Sequence, residues 1–308
     1  MSSPSTRDPW SVVVALVTVQ LLFGAHYVVA KIIVSRLDPA AWACLRSASA
    51  FVVLAVLALL FRRRLPDWRG IRWLALCSVF GVILNQALFL EGLARTTASH
   101  ASVINTQIPS FALLGAVALG QERLTRRKVA SFVVGLAGVL VLLRAETLRF
   151  DTSTLTGDLL NLGNAASYGF FIALSRRVMT REDPLAATAV LFIFATLGLG
   201  LYGGPALRAA DLGALSPGVV GGMVFAVLGA TVLSYFLNIW ALRRTHASNV
   251  ALFIFLQPVV AALLGIAALG ERPTLRLGLA MALVLTALVL RDAGPRRADV
   301  TSAPRRRS

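Results

Sequence analysis

The chain alternates between long apolar segments and short polar segments. Each apolar segment approaches the roughly 20 residues that an α-helix needs to cross the ~30 Å hydrocarbon core of a bilayer. The pattern therefore predicts ten membrane-spanning helices, numbered here spans 1 to 10, with spans 5, 7 and 10 at the short end. The predicted spans are 10–34, 40–61, 73–94, 98–120, 127–143, 157–178, 186–202, 216–242, 247–269 and 276–290.

One apolar segment and its polar flanks occur twice in the chain. The sequence of residues 95–123 returns at residues 244–272 after a shift of 149 positions, without a gap. Each copy begins with an Arg-Thr pair, contains one proline (Pro109 or Pro258) and closes on a Glu-Arg pair. The similarity indicates an internal repeat.

The repeat continues towards the N-terminal end of each half. At a shift of 145 positions, Gly24 and Asp38 coincide with Gly169 and Asp183. Each half holds five spans, an odd number, so the second half must enter the membrane from the opposite side. The predicted fold class is an all-α integral membrane protein, with ten transmembrane helices arranged as two inverted five-helix repeats.

The repeat divides the chain into two halves with a polar tail at each end. The first five-helix repeat is predicted over residues 10–145 and the inverted second repeat over residues 150–291. Residues 1–9 form a short N-terminal tail. Residues 292–308 are rich in arginine and contain proline, which predicts a disordered basic tail.

Composition and charge support the membrane prediction and give it an orientation. Hydrophobic residues make up 57% of the chain and the mean hydropathy is +0.77, more apolar surface than a soluble domain could keep from water. The net charge of +16 does not indicate nucleic-acid binding, because the basic residues lie between the apolar segments. With a cytoplasmic N-terminus, the inner segments carry 21 Lys and Arg and the outer ones 8. We therefore expect both termini in the cytoplasm and the chain in the plasma or inner membrane.

Polar residues inside the spans form stripes at helical spacing. In span 1 the stripe runs through Gln20, Gly24, Tyr27 and Lys31, and spans 4, 6 and 8 carry comparable stripes. Spans 1 and 6 are repeat counterparts, as are spans 3 and 8, so the stripes should converge between the halves near the membrane midplane. The predicted cavity-lining, substrate-binding residues are Gln20, Tyr27, Asn85, Asn105, Asn164, Tyr168, Ser234 and Asn238.

Interhelical packing is the alternative interpretation of these polar residues. A single asparagine or serine in a membrane helix often bonds to a neighbouring helix, and packing is the favoured reading for any one residue. The set as a whole favours a lined cavity, because polar groups that persist in hydrocarbon usually face the bundle interior or a wet space.

Charged, titratable and proline residues within the spans are few. His26 in span 1 is a candidate for proton coupling because an imidazole titrates near neutral pH, although a packed neutral histidine is the alternative. Glu91 is the second candidate, as the acidic residue that lies clearly inside an apolar segment. Arg46 lies shallow in span 2 and is expected to extend outward in a structural role. Pro109 and Pro258 each remove a backbone hydrogen bond and should shape spans 4 and 9.

Motifs for catalysis or metal binding are missing from the sequence. There is no His-Glu-x-x-His, P-loop or nucleophile-elbow motif, and the three histidines are scattered. Cys44 and Cys77 lie in apolar segments, where a cysteine behaves as a small core residue. We therefore expect no enzyme activity, no metal site and no cofactor.

The order of several short motifs resembles a known family. The sequence Phe-Gly-Ala-His-Tyr-Val-Val-Ala-Lys occupies residues 23–31, and Arg46 lies early in span 2. A proline followed by Leu-Gly-(x)-Glu-Arg occurs in both span 4 and span 9. With the paired five-helix halves, these features resemble the EamA branch of the drug/metabolite transporter superfamily over about residues 10–290. The resemblance implies a ten-helix secondary transporter, often an exporter of amino acids, metabolites or drugs. It does not extend to His26 or Glu91.

We therefore expect a secondary transporter that exports small metabolites, amino acids or drug-like solutes by alternating access through a central cavity. The alternatives are a membrane scaffold or assembly subunit, or a membrane-embedded enzyme, none of which would move a solute across a vesicle membrane. The expected partners are a small-molecule substrate and the lipid bilayer, with no nucleic acid. A homodimer is left open.

Overall fold

The computed structural model describes residues 10–96, 98–142, 155–179, 181–260 and 275–292. Within these residues the regular structure is helical and there is no β-strand. The predicted tail at residues 1–9 and the predicted disorder beyond residue 292 lie outside the described residues, as does the end of span 9 at residues 261–269.

Helices occupy all ten predicted positions, so the predicted all-α membrane fold is confirmed. Span 4 consists of two helices, Ala98–Asn105 and Ile108–Ala118, and a short 3₁₀ turn, Leu212–Ala214, connects spans 7 and 8. In the first half, the other spans are Trp10–Val34 (span 1), Pro39–Leu60 (span 2), Trp68–Arg95 (span 3) and Arg126–Leu142 (span 5). In the second half they are Leu155–Met179 (span 6), Pro184–Ala209 (span 7), Pro217–Leu242 (span 8), Ala247–Val260 (span 9) and Leu275–Asp292 (span 10).

Length and composition make most of these helices suitable for a bilayer. Spans 1, 2, 3, 7 and 8 are long and apolar enough to cross a membrane, and spans 4, 9 and 10 contain shorter apolar helices. Span 6 has 25 residues but is more polar, with Asp158, Asn161 and Asn164 in its first half. Leu59 and Leu201 are 77% and 86% exposed, as expected of side chains that face lipid.

Repeated Asp-Pro pairs begin spans 2 and 7. The Asp38 carboxylate accepts hydrogen bonds from the backbone N–H groups of Ala40 and Ala41. The Asp183 carboxylate does the same for the two equivalent residues of span 7. The proline that follows each aspartate lies in the first helical turn, where its missing N–H leaves no hydrogen bond unmade. The same local chemistry therefore starts the same helix in both halves.

Span 7 is longer than predicted. The predicted span ends at residue 202, but the helix continues through Pro205 to Ala209. Gly203 allows span 7 to approach span 2, because a Cβ there would come within 1.9 Å of the Ala40 carbonyl oxygen. The prediction that span 7 is short is therefore wrong, since this glycine serves packing between helices.

The packing of the spans is preserved when the two halves are exchanged. Span 2 packs against its counterpart span 7, and span 5 against its counterpart span 10. Span 3 packs against span 6 in the same way as its counterpart span 8 packs against span 1. Span 4 likewise packs against span 6, and its counterpart span 9 contacts span 1. This pseudo-two-fold arrangement is the one that inverted repeats produce.

Two glycines show the symmetry in atomic detail. Gly24 of span 1 lies against Gln257 of span 9, and a Cβ on it would be 3.0 Å from the Gln257 carbonyl oxygen. Gly169 of span 6 lies against Ile108 of span 4, with a corresponding distance of 2.9 Å. The shifts of 145 and 149 positions found in the sequence superimpose one pair on the other. Glycine allows the close approach of helix backbones at both places.

Spans 3 and 8 each contain a π-helical segment, Val79–Leu84 and Leu228–Leu233, and the two segments are also 149 positions apart. Each segment has a carbonyl that accepts a hydrogen bond from the other half. The Tyr235 hydroxyl donates to the Gly81 carbonyl at 2.5 Å. Arg46 Nη2 lies 3.4 Å from the equivalent carbonyl of Ala230. Local π-helical turns are frequent at functional sites.

In both halves a basic side chain forms a hydrogen bond between the ends of two spans. Lys31 Nζ at the end of span 1 donates to the Thr96 carbonyl at the end of span 3, at 2.7 Å. Its counterpart Arg176 in span 6 donates through Nε to the carbonyl of Thr245 after span 8, at 3.2 Å. Each pair joins two ends that the ten-span prediction places on the same side of the membrane. The observed contacts therefore agree with the predicted alternation.

Span 4 is interrupted by a turn at Thr106 and Gln107, just before Pro109. Pro109 lies in the first turn of the following helix, where its ring is well tolerated. In span 9 a 3₁₀ turn, Phe253–Phe255, precedes Pro258. In both spans the irregular backbone thus lies on the N-terminal side of the proline.

Candidate functional site

A buried cavity lies between the two halves, beside the π-helical segments of spans 3 and 8. Its volume is about 70 Å³, several times the space that one water molecule needs. Side chains from spans 1, 2, 3, 4, 6, 8 and 9 line it. The lining residues are Phe23, His26, Tyr27, Arg46, Asn85, Gln86, Phe89, Asn105, Ile108, Asn164, Tyr168, Tyr235 and Gln257.

Three asparagines and two tyrosines of the lining form a continuous polar chain. Asn85 Nδ2 donates to Asn164 Oδ1 at 2.5 Å, and Asn164 Nδ2 donates to Asn105 Oδ1 at 2.8 Å. Asn105 Nδ2 donates to the Tyr27 hydroxyl at 2.9 Å. At the other end, the Tyr235 hydroxyl lies 3.3 Å from Asn85 Oδ1. Because an amide both donates and accepts, this chain connects spans 1, 3, 4, 6 and 8.

Two further predicted residues form hydrogen bonds to lining residues without lining the cavity themselves. Asn238 Nδ2 donates to the Tyr168 hydroxyl at 3.1 Å. Gln20 accepts a hydrogen bond from Gln257 at 2.7 Å. Ser234 instead donates to the Gly229 carbonyl of its own span at 3.0 Å.

The structure thus brings together five of the eight predicted substrate-binding residues in the lining itself. These are Tyr27, Asn85, Asn105, Asn164 and Tyr168. Gln20 and Asn238 contact lining residues, and Ser234 does not reach the cavity.

Two buried polar side chains of the lining have no hydrogen-bond partner among the described residues. Neither ring nitrogen of His26 forms a hydrogen bond to a described residue, and neither do the amide nitrogen and amide oxygen of Gln86. The residues are only 4% and 2% exposed. Leaving such groups unpaired costs about 1–3 kcal/mol each, so these atoms are available to a solute or to water.

Gln86 was not among the predicted residues, although a signal for it exists in the sequence. The shift of 149 positions superimposes Gln86 on Tyr235, and both line the cavity. A search of each polar residue against its repeat counterpart would have found it.

Arg46 also lines the cavity, which corrects the prediction that it extends outward. It is 4% exposed, and its Nε donates to the Thr231 hydroxyl of span 8 at 2.7 Å. The Thr231 hydroxyl in turn donates to the Ala226 carbonyl at 2.7 Å. The position of Arg46 along span 2 can be read from the sequence, but the direction in which its helix face points cannot. That face is turned towards span 8.

Glu91, Pro109 and Pro258 lie outside the lining. Glu91 forms an ion pair with Arg95 at the end of span 3 and accepts a hydrogen bond from the Tyr202 hydroxyl at 2.6 Å. Of the two candidates for proton coupling, the structure therefore places only His26 at the cavity. The two prolines are buried, and each directly follows a lining residue, Ile108 or Gln257.

The fold and the cavity define the class of protein. Two inverted five-helix repeats with a cavity between them are the architecture of a membrane transporter. The chain belongs to the EamA-like transporter family, whose family model matches residues 10–144 and 155–291. The family suggested by the sequence motifs is thereby confirmed.

Relatives and a solved structure agree with this assignment. An "Uncharacterized transporter" of Archaeoglobus fulgidus is 28% identical over 264 residues, which cover 84% of this chain and 89% of the relative. A WAT1-related protein of Arabidopsis thaliana is 23% identical over 284 residues, covering 81% and 76%. A crystal structure superposes with a TM-score of 0.74 at 20% identity, covering 92% of this chain and 96% of the other, and shows the same fold.

Proposed function

We propose that this transporter exports small polar or amphipathic solutes by alternating access through the cavity between its halves. The observation that carries the proposal is the composition of the lining. Polar side chains from both inverted repeats meet there, and His26 and Gln86 have no hydrogen-bond partner among the described residues. In inverted-repeat transporters the solute site lies between the repeats, and one repeat moves against the other.

The asparagines suit such a site because they bind without adding charge. Asn85, Asn105 and Asn164 each offer a donor and an acceptor. A polar solute can therefore replace one of the hydrogen bonds that these side chains make to each other. The rings of Phe23 and Phe89 supply apolar walls beside these amides. The lining therefore suits a solute with both polar and apolar parts.

Orientation and location belong to the same proposal. The excess of Lys and Arg in alternate segments supports cytoplasmic termini and a plasma or inner membrane location. Export then requires that a solute enter the cavity from the cytoplasmic face.

Solute flux in proteoliposomes tests the proposal. Purified protein is reconstituted in a known orientation with a panel of labelled amino acids, sugars and organic acids, and release is compared with that from protein-free vesicles. Protein-dependent flux that is saturable supports transport. Complete absence of flux across the panel, with folded protein in the membrane, favours a scaffold role.

A protection experiment locates the solute path. In a variant whose two native cysteines are replaced by alanine, Tyr168→Cys should react with a water-soluble thiol reagent more slowly when the transported solute is present. Leu212→Cys, in the loop between spans 7 and 8, is the control and should react at one rate with or without solute. If the solute protects both positions equally, or protects neither of them, the solute path does not pass Tyr168.

The proposal keeps His26 and Glu91 as the candidates for proton coupling. His26 lies in the cavity with Arg46 and three tyrosines, whereas Glu91 pairs with Arg95 at the end of span 3. A His26→Asn, Glu91→Gln double variant should lose the dependence of transport on an imposed pH gradient. Full retention of that dependence would exclude both residues.

A further inference from the structure

Among the described residues that line the cavity, Arg46 is the one with a permanent charge. The described acidic side chains all lie at span ends or in the loops between spans, away from the cavity. They are Asp38, Asp67, Glu91, Glu122, Asp158, Glu182, Asp183 and Asp211. The charge of the cavity therefore has no counter-charge from the part of the chain that the structure describes.

An uncompensated charge in a buried, low-dielectric site is unfavourable, and a guanidinium in such a site is usually paired with an anion. Here the Thr231 hydroxyl and the Ala230 carbonyl occupy two of the five N–H groups of Arg46. Nη1 has no hydrogen-bond partner among the described residues. Part of the guanidinium is thus free to bind an anionic oxygen.

Other donors face the same cavity. The Tyr27 hydroxyl accepts a hydrogen bond from Asn105, and its own hydrogen is not donated to any described residue. His26 and Gln86, both unpaired within the described residues, can each donate one or more hydrogen bonds. A carboxylate has about four acceptor positions and would satisfy several of these groups at once.

We propose that the cavity selects organic acids with a single carboxylate and a net charge of −1, and that Arg46 is the side chain that binds the carboxylate. The proposal rests on the proposed function, in which this cavity carries the solute. A monoanion neutralises the single charge of Arg46, whereas a zwitterionic amino acid leaves the cavity with a net charge of +1. A dianion would leave an excess negative charge.

A ligand-stabilisation assay on the full chain in detergent tests this selection directly. The probes form two series with one carbon skeleton each, 3-phenylpropionate with 3-phenylpropanamide and phenylalanine, and butyrate with butyramide and 2-aminobutyrate. The acid of at least one series should raise the unfolding temperature and its amide should not, with the amino acid weaker than the acid. A protein that no acid stabilises, or that amide and acid stabilise equally, overturns the proposal.

The role of Arg46 is tested by substitution against a matched control. Arg46→Gln should reduce affinity for the acid by about tenfold to a hundredfold relative to the amide, because a charge-assisted hydrogen bond is lost. Arg36→Gln changes an exposed arginine in the loop after span 1 and should leave affinity unchanged. Retention of the full acid preference in Arg46→Gln overturns the assignment to Arg46.

Two further measurements keep the result interpretable. Arg46→Lys keeps the charge and should retain part of the acid preference, which tests the role of the charge if Arg46→Gln does not fold. Flux of the best-bound acid is then measured in proteoliposomes. Acid binding without flux contradicts the proposed transport but not the carboxylate site, whereas flux of amides without acid preference contradicts only the carboxylate site.

Discussion

At the scale of one residue, Asn164 combines packing between spans with a position in the cavity lining. It lines the cavity, yet both ends of its amide are used, one on Asn105 and one on Asn85. A packing contact and a cavity-lining position are therefore found at the same side chain. A solute that binds Asn164 must compete with Asn85 and Asn105 for its amide.

Asn164→Leu should abolish transport and also lower stability. The leucine leaves Asn105 Oδ1 and Asn85 Nδ2 without partners, which should reduce the free energy of unfolding by about 1–2 kcal/mol. Transport is measured in proteoliposomes and stability by denaturant unfolding in detergent micelles.

Asn161→Leu is the matched control, one helical turn earlier in span 6. Asn161 does not line the cavity, and its amide nitrogen bonds to the Gly157 carbonyl of its own span. This variant should keep transport. Wild-type transport in Asn164→Leu would exclude Asn164 from the solute path.

Glu122, in the loop after span 4, is a residue whose importance only the structure reveals. Its carboxylate accepts hydrogen bonds from the backbone and hydroxyl of Ser248 at the start of span 9, and it pairs with Lys128 at 2.6 Å. Burial alone would raise the pKa of Glu122. The bonds from Lys128 and Ser248 outweigh burial and hold its pKa below the ordinary value of 4.5. The charged carboxylate thus joins span 5 to the other half of the molecule.

Glu122→Gln should destabilise the protein at pH 7 by about 1–3 kcal/mol, through weaker hydrogen bonds to Ser248 and Lys128. A lowered folded-state pKa means that this stabilisation is present above the ordinary pKa and is lost as the pH falls through the folded value. The difference between wild type and variant should therefore shrink below about pH 4.5.

Glu182→Gln is the control. Thermal unfolding of both variants and the wild type is measured at pH 7 and pH 4. Burial and then the charge of Asp67 raise the pKa of Glu182, so removal of its charge should leave stability at pH 7 unchanged or increased. A pH-independent effect of Glu122→Gln would contradict the assigned role of its charge.

At the scale of elements, the site depends on interruptions of regular helix. The π-helical segments of spans 3 and 8 present the Gly81 and Ala230 carbonyls to the other half. The turn at Thr106 and Gln107 lies directly after Asn105, which belongs to the polar chain. Irregular backbone inside a bilayer is tolerated where it is buried in protein or lines a cavity, as it does here.

Gly169→Ala should weaken the packing of span 6 against span 4. A Cβ at Gly169 would lie 2.8 Å from the Ala112 backbone nitrogen and 2.9 Å from the Ile108 carbonyl oxygen, and neither backbone atom can move without shifting the helix. Such overpacking costs about 1–3 kcal/mol, and it should also reduce transport because Tyr168 lies beside it.

Gly200→Ala in span 7 is the matched control, because a Cβ there meets no atom within 4 Å. It should be neutral or slightly stabilising, since alanine favours a helix over glycine. Thermal unfolding of both variants in detergent gives the comparison. Equal unfolding temperatures would show that span 6 and span 4 can separate without cost.

At the scale of the whole molecule, a symmetric scaffold carries an asymmetric cavity. The shift of 145 positions superimposes His26 on Phe171 and Arg46 on Leu191, and both counterparts are fully buried apolar residues. Inverted repeats give two similar halves that can exchange conformations. Both halves supply polar side chains to the cavity, but its histidine and its arginine come from the first half.

The inverted topology predicts which loops face the same side. In a variant without the native cysteines, Arg36→Cys and Leu212→Cys should react with a membrane-impermeant thiol reagent added to intact cells. Arg64→Cys and Arg123→Cys should react only after the membrane is permeabilised. All four native residues are exposed. Reaction of Arg36→Cys and Leu212→Cys from opposite sides would contradict the ten-span topology.

The sequence alone determined the number of spans, their approximate ends and the duplication of the halves. Bilayer thickness sets the length of an apolar segment, and the Asp38 and Asp183 caps are local, so both can be recognised without knowledge of the fold. The polar stripes of spans 1, 4 and 6 also indicated Tyr27, Asn105, Asn164 and Tyr168, since helical periodicity places a stripe on one face. The repeat alignment added Asn85, the counterpart of Ser234.

Only the tertiary structure decided how those faces meet. Periodicity gives the face of a helix but not the neighbour that it contacts, so the inward position of Arg46 and the contact of Gly203 with span 2 were missed. The unpaired state of His26 and Gln86 likewise depends on what surrounds them. Hydrogen bonds between spans form over separations of up to 237 positions in the chain, as between Gln20 and Gln257, and no local pattern contains that information.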